Sequence, residues 1–170
     1  LAGGCFWCTE SDLEKLPGVE KVISGYTGGA KENPTYEEVS AGETGHVEAI
    51  QVYYDPARVS YEQILDAFWR HIDPTDPGGQ FVDRGAQYRS LIFYHDEEQK
   101  QEAKKIIEQL TGEKVYSDKI VTEVTKFDVF YVAEDYHKNY YNNNKEQGYC
   151  RGVINPKLDK FVKKYKSKLK

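Results

Sequence analysis

Methionine is absent from this chain of 170 residues, including position 1. Other absences exclude whole classes. No apolar run approaches the ~20 residues needed to cross a bilayer, which excludes an integral membrane protein. There is no basic excess: 23 Lys and Arg stand against 28 Asp and Glu, so a net charge of -5 provides no general attraction to nucleic acid. Three cysteines are too few for a disulfide scaffold, and their odd number argues against a purely structural framework. Internal repeats, low-complexity stretches and a second domain are also missing. What is present, 39% apolar and 30% charged residues at single-domain length, suits a soluble globular protein of a reducing, cytoplasmic compartment. Leu1-Ala2-Gly3-Gly4 reads as the tail of a strand that begins upstream, where any targeting segment would also lie.

Periodicity orders the elements. A helix runs from just after Cys5 to Leu16, where Pro17-Gly18 stops it. Strands are expected over Val19 to Tyr26 and His46 to Tyr54, the latter with Glu48, Ile50, Val52 and Tyr54 on one face. Ser60 and Gln63 form a capping box for a helix to about His71, followed by a long Pro/Gly/Asp-rich loop from Asp73 to Gln87. Arg89 to Tyr94 reads as a strand, Asp96 starts a helix through Leu110, and Ile120 to Thr125 reads as another strand. Asn155-Pro156 opens an amphipathic helix with Leu158, Phe161, Val162, Tyr165 and Leu169 on one side and lysines from Lys157 to Lys170 on a solvated other side. The order β-α-β-β-α-β, plus a further helix and strand, predicts an α+β ferredoxin-like split β-α-β sandwich with helices on one side of a mixed sheet.

Gly3-Gly4-Cys5-Phe6-Trp7-Cys8 is the most informative stretch. Two glycines between a strand and a helix allow a tight turn and close approach of a ligand. Cys5 falls at the helix N-terminus, where free N–H groups and the helix dipole favour a nucleophilic thiolate. The plain alternative is a buried small residue beside ordinary aromatic core. Cys5-x-x-Cys8 alone also fits redox and zinc sites. No second paired-ligand motif supports zinc, since His46, His71, His95 and His137 are scattered singly.

Gly-Gly-Cys5-Phe6-Trp7 resembles the signature of the A-type peptide methionine sulfoxide reductases. Further blocks match in family order: Ser24 to Gly29, Asn33-Pro34-Thr35-Tyr36, Thr44 to Ala49, Asp83 to Ser90, Ala133 to His137, and Gly148-Tyr149-Cys150. The resemblance covers residues 3 to about 156. It implies one catalytic domain over 1–170 with its first strand truncated, and reduction of the S-epimer of methionine sulfoxide, free or in oxidised proteins, a repair reaction.

By the same resemblance, Cys5 attacks the sulfoxide sulfur and Glu48 is the acid that protonates its oxygen. Such an acid needs a carboxyl pKa raised by burial. Tyr26 and Tyr88 match the tyrosines that help hold the oxygen, although in a chain with fourteen tyrosines any one is more often core or surface. Phe6 and Trp7 match the cage for the S-methyl group, and Asp83 matches the carboxylate that takes a substrate backbone N–H; alone it would read as a turn-former. Tyr140 and Tyr149 complete the pocket wall, while Glu134, Asp135 and His137 are structural or support the site residues from behind. Cys8 stands where the family often has glycine, and Cys150 matches the usual resolving cysteine, on a tail that Gly148 and Gly152 leave free to swing. Both remain candidates for capturing oxidised Cys5. No metal or cofactor is implied; the reductant is external, thioredoxin or dithiothreitol, and a monomer without nucleic-acid or membrane partners is expected. Two other readings remain open: a general thiol–disulfide oxidoreductase built on Cys5-x-x-Cys8, and a non-catalytic module whose aromatic cage grips a methyl-bearing ligand.

Overall fold

The computed structural model describes residues 1–165. The α+β class holds. Strand β1 (Ala2–Gly3) leads into helix α1 (Phe6–Leu13), and strand β2 (Val19–Thr27), helix α2 (Tyr36–Ser40) and strand β3 (Val47–Tyr54) follow. Helix α3 (Tyr61–His71) precedes a small hairpin of β4 (Gly79–Gln80) and β5 (Asp83–Arg84), then β6 (Ser90–Tyr94), α4 (Glu97–Gly112), β7 (Glu123–Lys126) and β8 (Phe130–Val132). The chain continues through α5 (Tyr140–Asn143) and a π-helical turn at Cys150–Ile154 into α6 (Asn155–Tyr165).

Strand pairing is mixed, but it is divided where the element order suggested one ferredoxin-like sheet. The hydrogen-bonded orders are β1-β6-β7 and β3-β2-β8, antiparallel except for the parallel β6–β7 pair. The two sheets meet where Leu1 and Ile50 exchange backbone hydrogen bonds of 2.9 and 2.8 Å. The alternation expected for β3 is absent at its start, because Val47, Glu48, Ala49 and Ile50 are all buried. Ile50 packs with Phe6, Leu13, Tyr26 and Ile64, while Val47 and Ala49 pack with Ala2, Leu91 and Phe93. A strand covered on both faces cannot show a period of two.

Local signals set the helix starts. The Ser60–Gln63 capping box is formed, and Asp96 accepts from the Gln99 N–H at 2.8 Å. A third start, overlooked above, opens α2 with a Thr35–Glu38 capping box. The expected loop from Asp73 to Gln87 is more ordered than its composition suggests. Its β4–β5 hairpin is held by buried Gln80, which bonds Asp73 N–H and C=O at 2.7 and 2.8 Å, and by an Arg84–Asp76 ion pair. The strand expected from Ile120 starts only at Glu123. On α6, Leu158 and Phe161 are buried as the stripe requires, whereas Leu169 lies outside the described residues.

Candidate active site

The Gly3-Gly4 turn is dictated by its surroundings. A Cβ on Gly3 would stand 2.7 Å from the Ile72 side chain, and one on Gly4, whose φ is +85°, would stand 2.8 Å from Gln80. The turn delivers Cys5 to the N-cap of α1, at φ -57° and ψ 124°, where its carbonyl accepts the Cys8 and Thr9 N–H groups. Cys5 is buried, and the expected thiolate is corrected to a thiol: burial pushes its pKa well up, and contact with the Cys8 thiol and the nearby Asp83 charge push the same way. A helix terminus is worth about 0.3–1 kcal/mol, less than one pKa unit, whereas burial can move a group by several units. Burial wins.

Glu48 also lies inside. Its register opposite Tyr26 turns it into the space beside α1, where Oε2 accepts the Phe6 N–H at 2.9 Å. Burial raises its carboxyl pKa well above the ordinary value, the neighbouring Cys5 adds to the shift, and the Phe6 hydrogen bond opposes it. An acid next to a thiol is therefore in place.

Aromatic rings enclose this pair. Phe6 lies 5.8 Å from Tyr26 and 6.4 Å from Tyr36, and Trp7 stacks on Tyr140 with centroids 3.7 Å apart. Tyr149 meets Trp7 edge-on at 5.7 Å. The Trp7 indole N–H donates to His137 Nδ1 at 2.9 Å, so neutral His137 carries its proton on Nε2. Burial lowers the His137 pKa and favours that neutral form.

The two tyrosines singled out by sequence are placed differently. Tyr26 is buried and its hydroxyl donates to Glu134 Oε2 at 2.7 Å, while Glu134 Oε1 takes the Tyr36 N–H at 2.8 Å. Tyr88 stands within electrostatic reach of Glu48, Tyr36 and Cys5, and burial raises its hydroxyl pKa. Asp83 Oδ1 accepts from the Tyr149 hydroxyl at 2.7 Å, whereas Oδ2 is buried without a hydrogen bond.

All three cysteines are free and buried in one cluster with Ile154, flanked by Trp7, Tyr140, Tyr141 and Tyr149. Cys150 is therefore not on a swinging tail. The π-helical turn packs it fully inside, next to Cys5. Lys157 departs from the solvated face assigned to it: its Nζ lies 3.9 Å from Cys8 Sγ and 3.6 Å from Asp83 Oδ2.

Sequence reasoning gave no role to Tyr36 and misplaced Lys157, whereas His137 takes the supporting place open to it, behind Trp7. Tyr36 lies one residue after the N-cap of a helix signalled by Thr35-x-x-Glu38. Nothing local marks Lys157 among its neighbouring lysines. Among the described residues, no group of three His, Cys, Asp or Glu side chains is placed to hold a metal ion.

The family model for peptide methionine sulfoxide reductase matches residues 1–170. The chain belongs to this family. It is 50% identical over all its 170 residues to the peptide methionine sulfoxide reductase MsrA of Deinococcus radiodurans, covering 82% of that protein. It is 59% identical over 145 residues, 85% of the chain, to the MsrA/MsrB protein of Vibrio cholerae, whose length it covers by only 38%. Among solved structures, methionine sulfoxide reductase A of Corynebacterium diphtheriae superposes with a TM-score of 0.82 at 33% identity, covering 89% of this chain and 76% of that one. The reduced form of Mxr1 from Saccharomyces cerevisiae gives 0.80 at 32%, covering 88% and 86%. The activity of the chain is the A-type one, peptide-methionine (S)-S-oxide reduction.

Proposed function

We propose that the chain, acting as one catalytic unit and as a monomer, reduces methionine S-sulfoxide both free and within proteins through a sulfenic acid on Cys5. The observation that carries this reading is the buried Glu48 carboxyl, fixed by the Phe6 N–H within electrostatic reach of the Cys5 thiol. A sulfoxide sulfur becomes electrophilic when its oxygen is protonated or strongly hydrogen-bonded, so it needs an acid at this position.

The substrate S-methyl group lies against Phe6 and Trp7, and a substrate backbone N–H is taken by Asp83 Oδ2, the oxygen without a hydrogen bond. Glu48 gives its proton to the sulfoxide oxygen, and Tyr88 donates a hydrogen bond to it. Tyr26, whose hydroxyl hydrogen is committed to Glu134, packs against Phe6 and aligns the site through that ring. Cys5 Sγ attacks the sulfur, its own proton returning to Glu48. The hydroxyl then passes from the substrate sulfur to Cys5 Sγ as the new S–S bond breaks, its electron pair going to the substrate sulfur. Methionine leaves, and Cys5 becomes a sulfenic acid. The sulfoxide has been reduced by two electrons and Cys5 oxidised by two.

A second thiol, Cys8 or Cys150, converts the sulfenic acid into an intramolecular disulfide with loss of water. Thioredoxin, or dithiothreitol in vitro, reduces that disulfide. No step requires a cofactor or metal, and the compartment is the cytoplasm. The test is methionine formed from each separated sulfoxide epimer with dithiothreitol as reductant. Turnover of the S-epimer with none of the R-epimer is expected. Turnover of the R-epimer alone would overturn the reading.

A further inference from the structure

Lys157 enters the cysteine cluster from the first turn of α6. Its side chain is only 15% exposed, and its Nζ lies 3.6 Å from Asp83 Oδ2, 3.9 Å from Cys8 Sγ and 4.8 Å from the centre of the Phe81 ring. The Tyr149 hydroxyl joins the same partners, 2.7 Å from Asp83 Oδ1 and 3.9 Å from Cys8 Sγ. One cation thus divides itself between a carboxylate and one particular thiol. The same charge-assisted contact does not reach Cys150, whose pKa burial and the Cys5 charge raise. On the far side of Lys157, Asp12, Arg70, His71, Asp73, Tyr116, Asp118 and Lys160 line an open groove, so the titratable groups around it are Asp83, Cys8 and Tyr149 within and these seven without.

We propose that Lys157 is a positioning residue for recycling: its ammonium, shared between Asp83 and Cys8, selects Cys8 as the thiol that first captures oxidised Cys5. This rests on the reading above that the sulfoxide oxidises Cys5. The Cys8 thiolate attacks the sulfenic sulfur, an S–S bond forms and the S–O bond breaks. The departing oxygen takes the proton that Cys8 gave up and leaves as water, so Cys8 is oxidised, the sulfenic sulfur is reduced and no net proton is released. Cys150 then attacks Cys8, freeing Cys5 as a thiol with the proton Cys150 loses. Residues three apart within a helix hold their Cβ atoms about 5–6 Å apart, too far for a disulfide. Cys5, however, is an N-cap with non-helical backbone and already contacts the Cys8 thiol, so that spacing does not govern the pair.

The proposal is tested on reduced protein given one equivalent of S-epimer, acid-quenched over time and mapped for disulfides, with dimedone trapping any sulfenic acid. Wild type should show Cys5–Cys8 first and Cys8–Cys150 later. Lys157→Met should slow Cys5–Cys8 closure about tenfold, the effect of losing a nearby opposite charge, while dimedone-reactive Cys5 accumulates. Lys157→Arg should restore closure. Without substrate, the rate of Cys8 alkylation by iodoacetamide should fall in Lys157→Met and rise in Asp83→Asn, a pair of opposite signs that a folding defect does not produce. Unchanged rates of closure and alkylation in Lys157→Met, or Cys5–Cys150 as the first disulfide, would overturn it. Wild type giving neither methionine nor oxidised Cys5 would instead remove the proposed function on which it rests.

Discussion

Burial raises the pKa of both Cys5 and Glu48, and that shared cause shapes the chemistry each can do. A buried carboxyl can donate a proton at neutral pH, and a buried thiol must lose its own as it attacks. Because the folded-state pKa of Glu48 is raised, the acid is present below that pKa and lost as pH rises through it. Methionine formation in a single turnover should therefore decline on the alkaline side. Glu48→Gln can still accept the Phe6 N–H but has no proton to give. It should slow that step by about 10²–10⁴-fold, the usual worth of a general acid, and abolish the alkaline limb. Quenched single turnovers across pH measure both; an equal loss in substrate affinity and rate would mean that Glu48 only positions the substrate. At this scale the sequence was legible where a motif carries a residue into the site, as with Cys5, Phe6 and Trp7. It was misleading for the Cys5 charge, because helix-end position is visible in a sequence and burial is not.

Helix α1 holds the site to the rest of the molecule through a second buried acid. Glu10 accepts the Ser24 hydroxyl at 3.1 Å and the N–H of Asn139 at 3.3 Å, the left-handed residue (φ 50°) that starts α5. That contact sets the helix whose Tyr140 lies flat on Trp7. Burial pushes the Glu10 carboxyl from 4.5 up to about 7. A folded pKa above the unfolded one means that the folded state binds the extra proton, so the stability that Glu10 contributes is full below pH 4.5 and is lost as pH rises to about 7. Linkage sets the loss at about 3 kcal/mol at most, less whatever solvent screens. Glu10→Gln should flatten this part of the curve of urea unfolding against pH; an unchanged slope would show that Glu10 is not the group responsible. Element boundaries were readable where caps stand next to apolar stripes, as at Ser60 and Asp96. They were unreadable at the β4–β5 hairpin, where a Pro/Gly/Asp-rich stretch is ordered by the distant fit of Gln80 rather than by its own pattern.

At the scale of the whole molecule, three cysteines separated by up to 145 positions in sequence (5 to 150) converge on one buried cluster. The α+β class was legible from the alternation of elements. The splitting of the strands between two sheets was not, because it depends on pairings between segments far apart, such as Leu1 with Ile50. The same applies to Lys157, which belongs to a lysine-rich helix by pattern and to the cysteine cluster by packing. The proposed mechanism makes a sharp claim about where the oxygen goes: from the sulfoxide to Cys5 and to no other group. The measurement that tests this most directly removes both candidate resolving thiols. The Cys8→Ser/Cys150→Ser double variant, fully reduced and given one equivalent of methionine S-sulfoxide with dimedone, should yield one methionine per chain and one dimedone adduct on Cys5. Adding Cys5→Ser should abolish both. Methionine formed without an adduct on Cys5, or formed by the triple variant, would contradict the account.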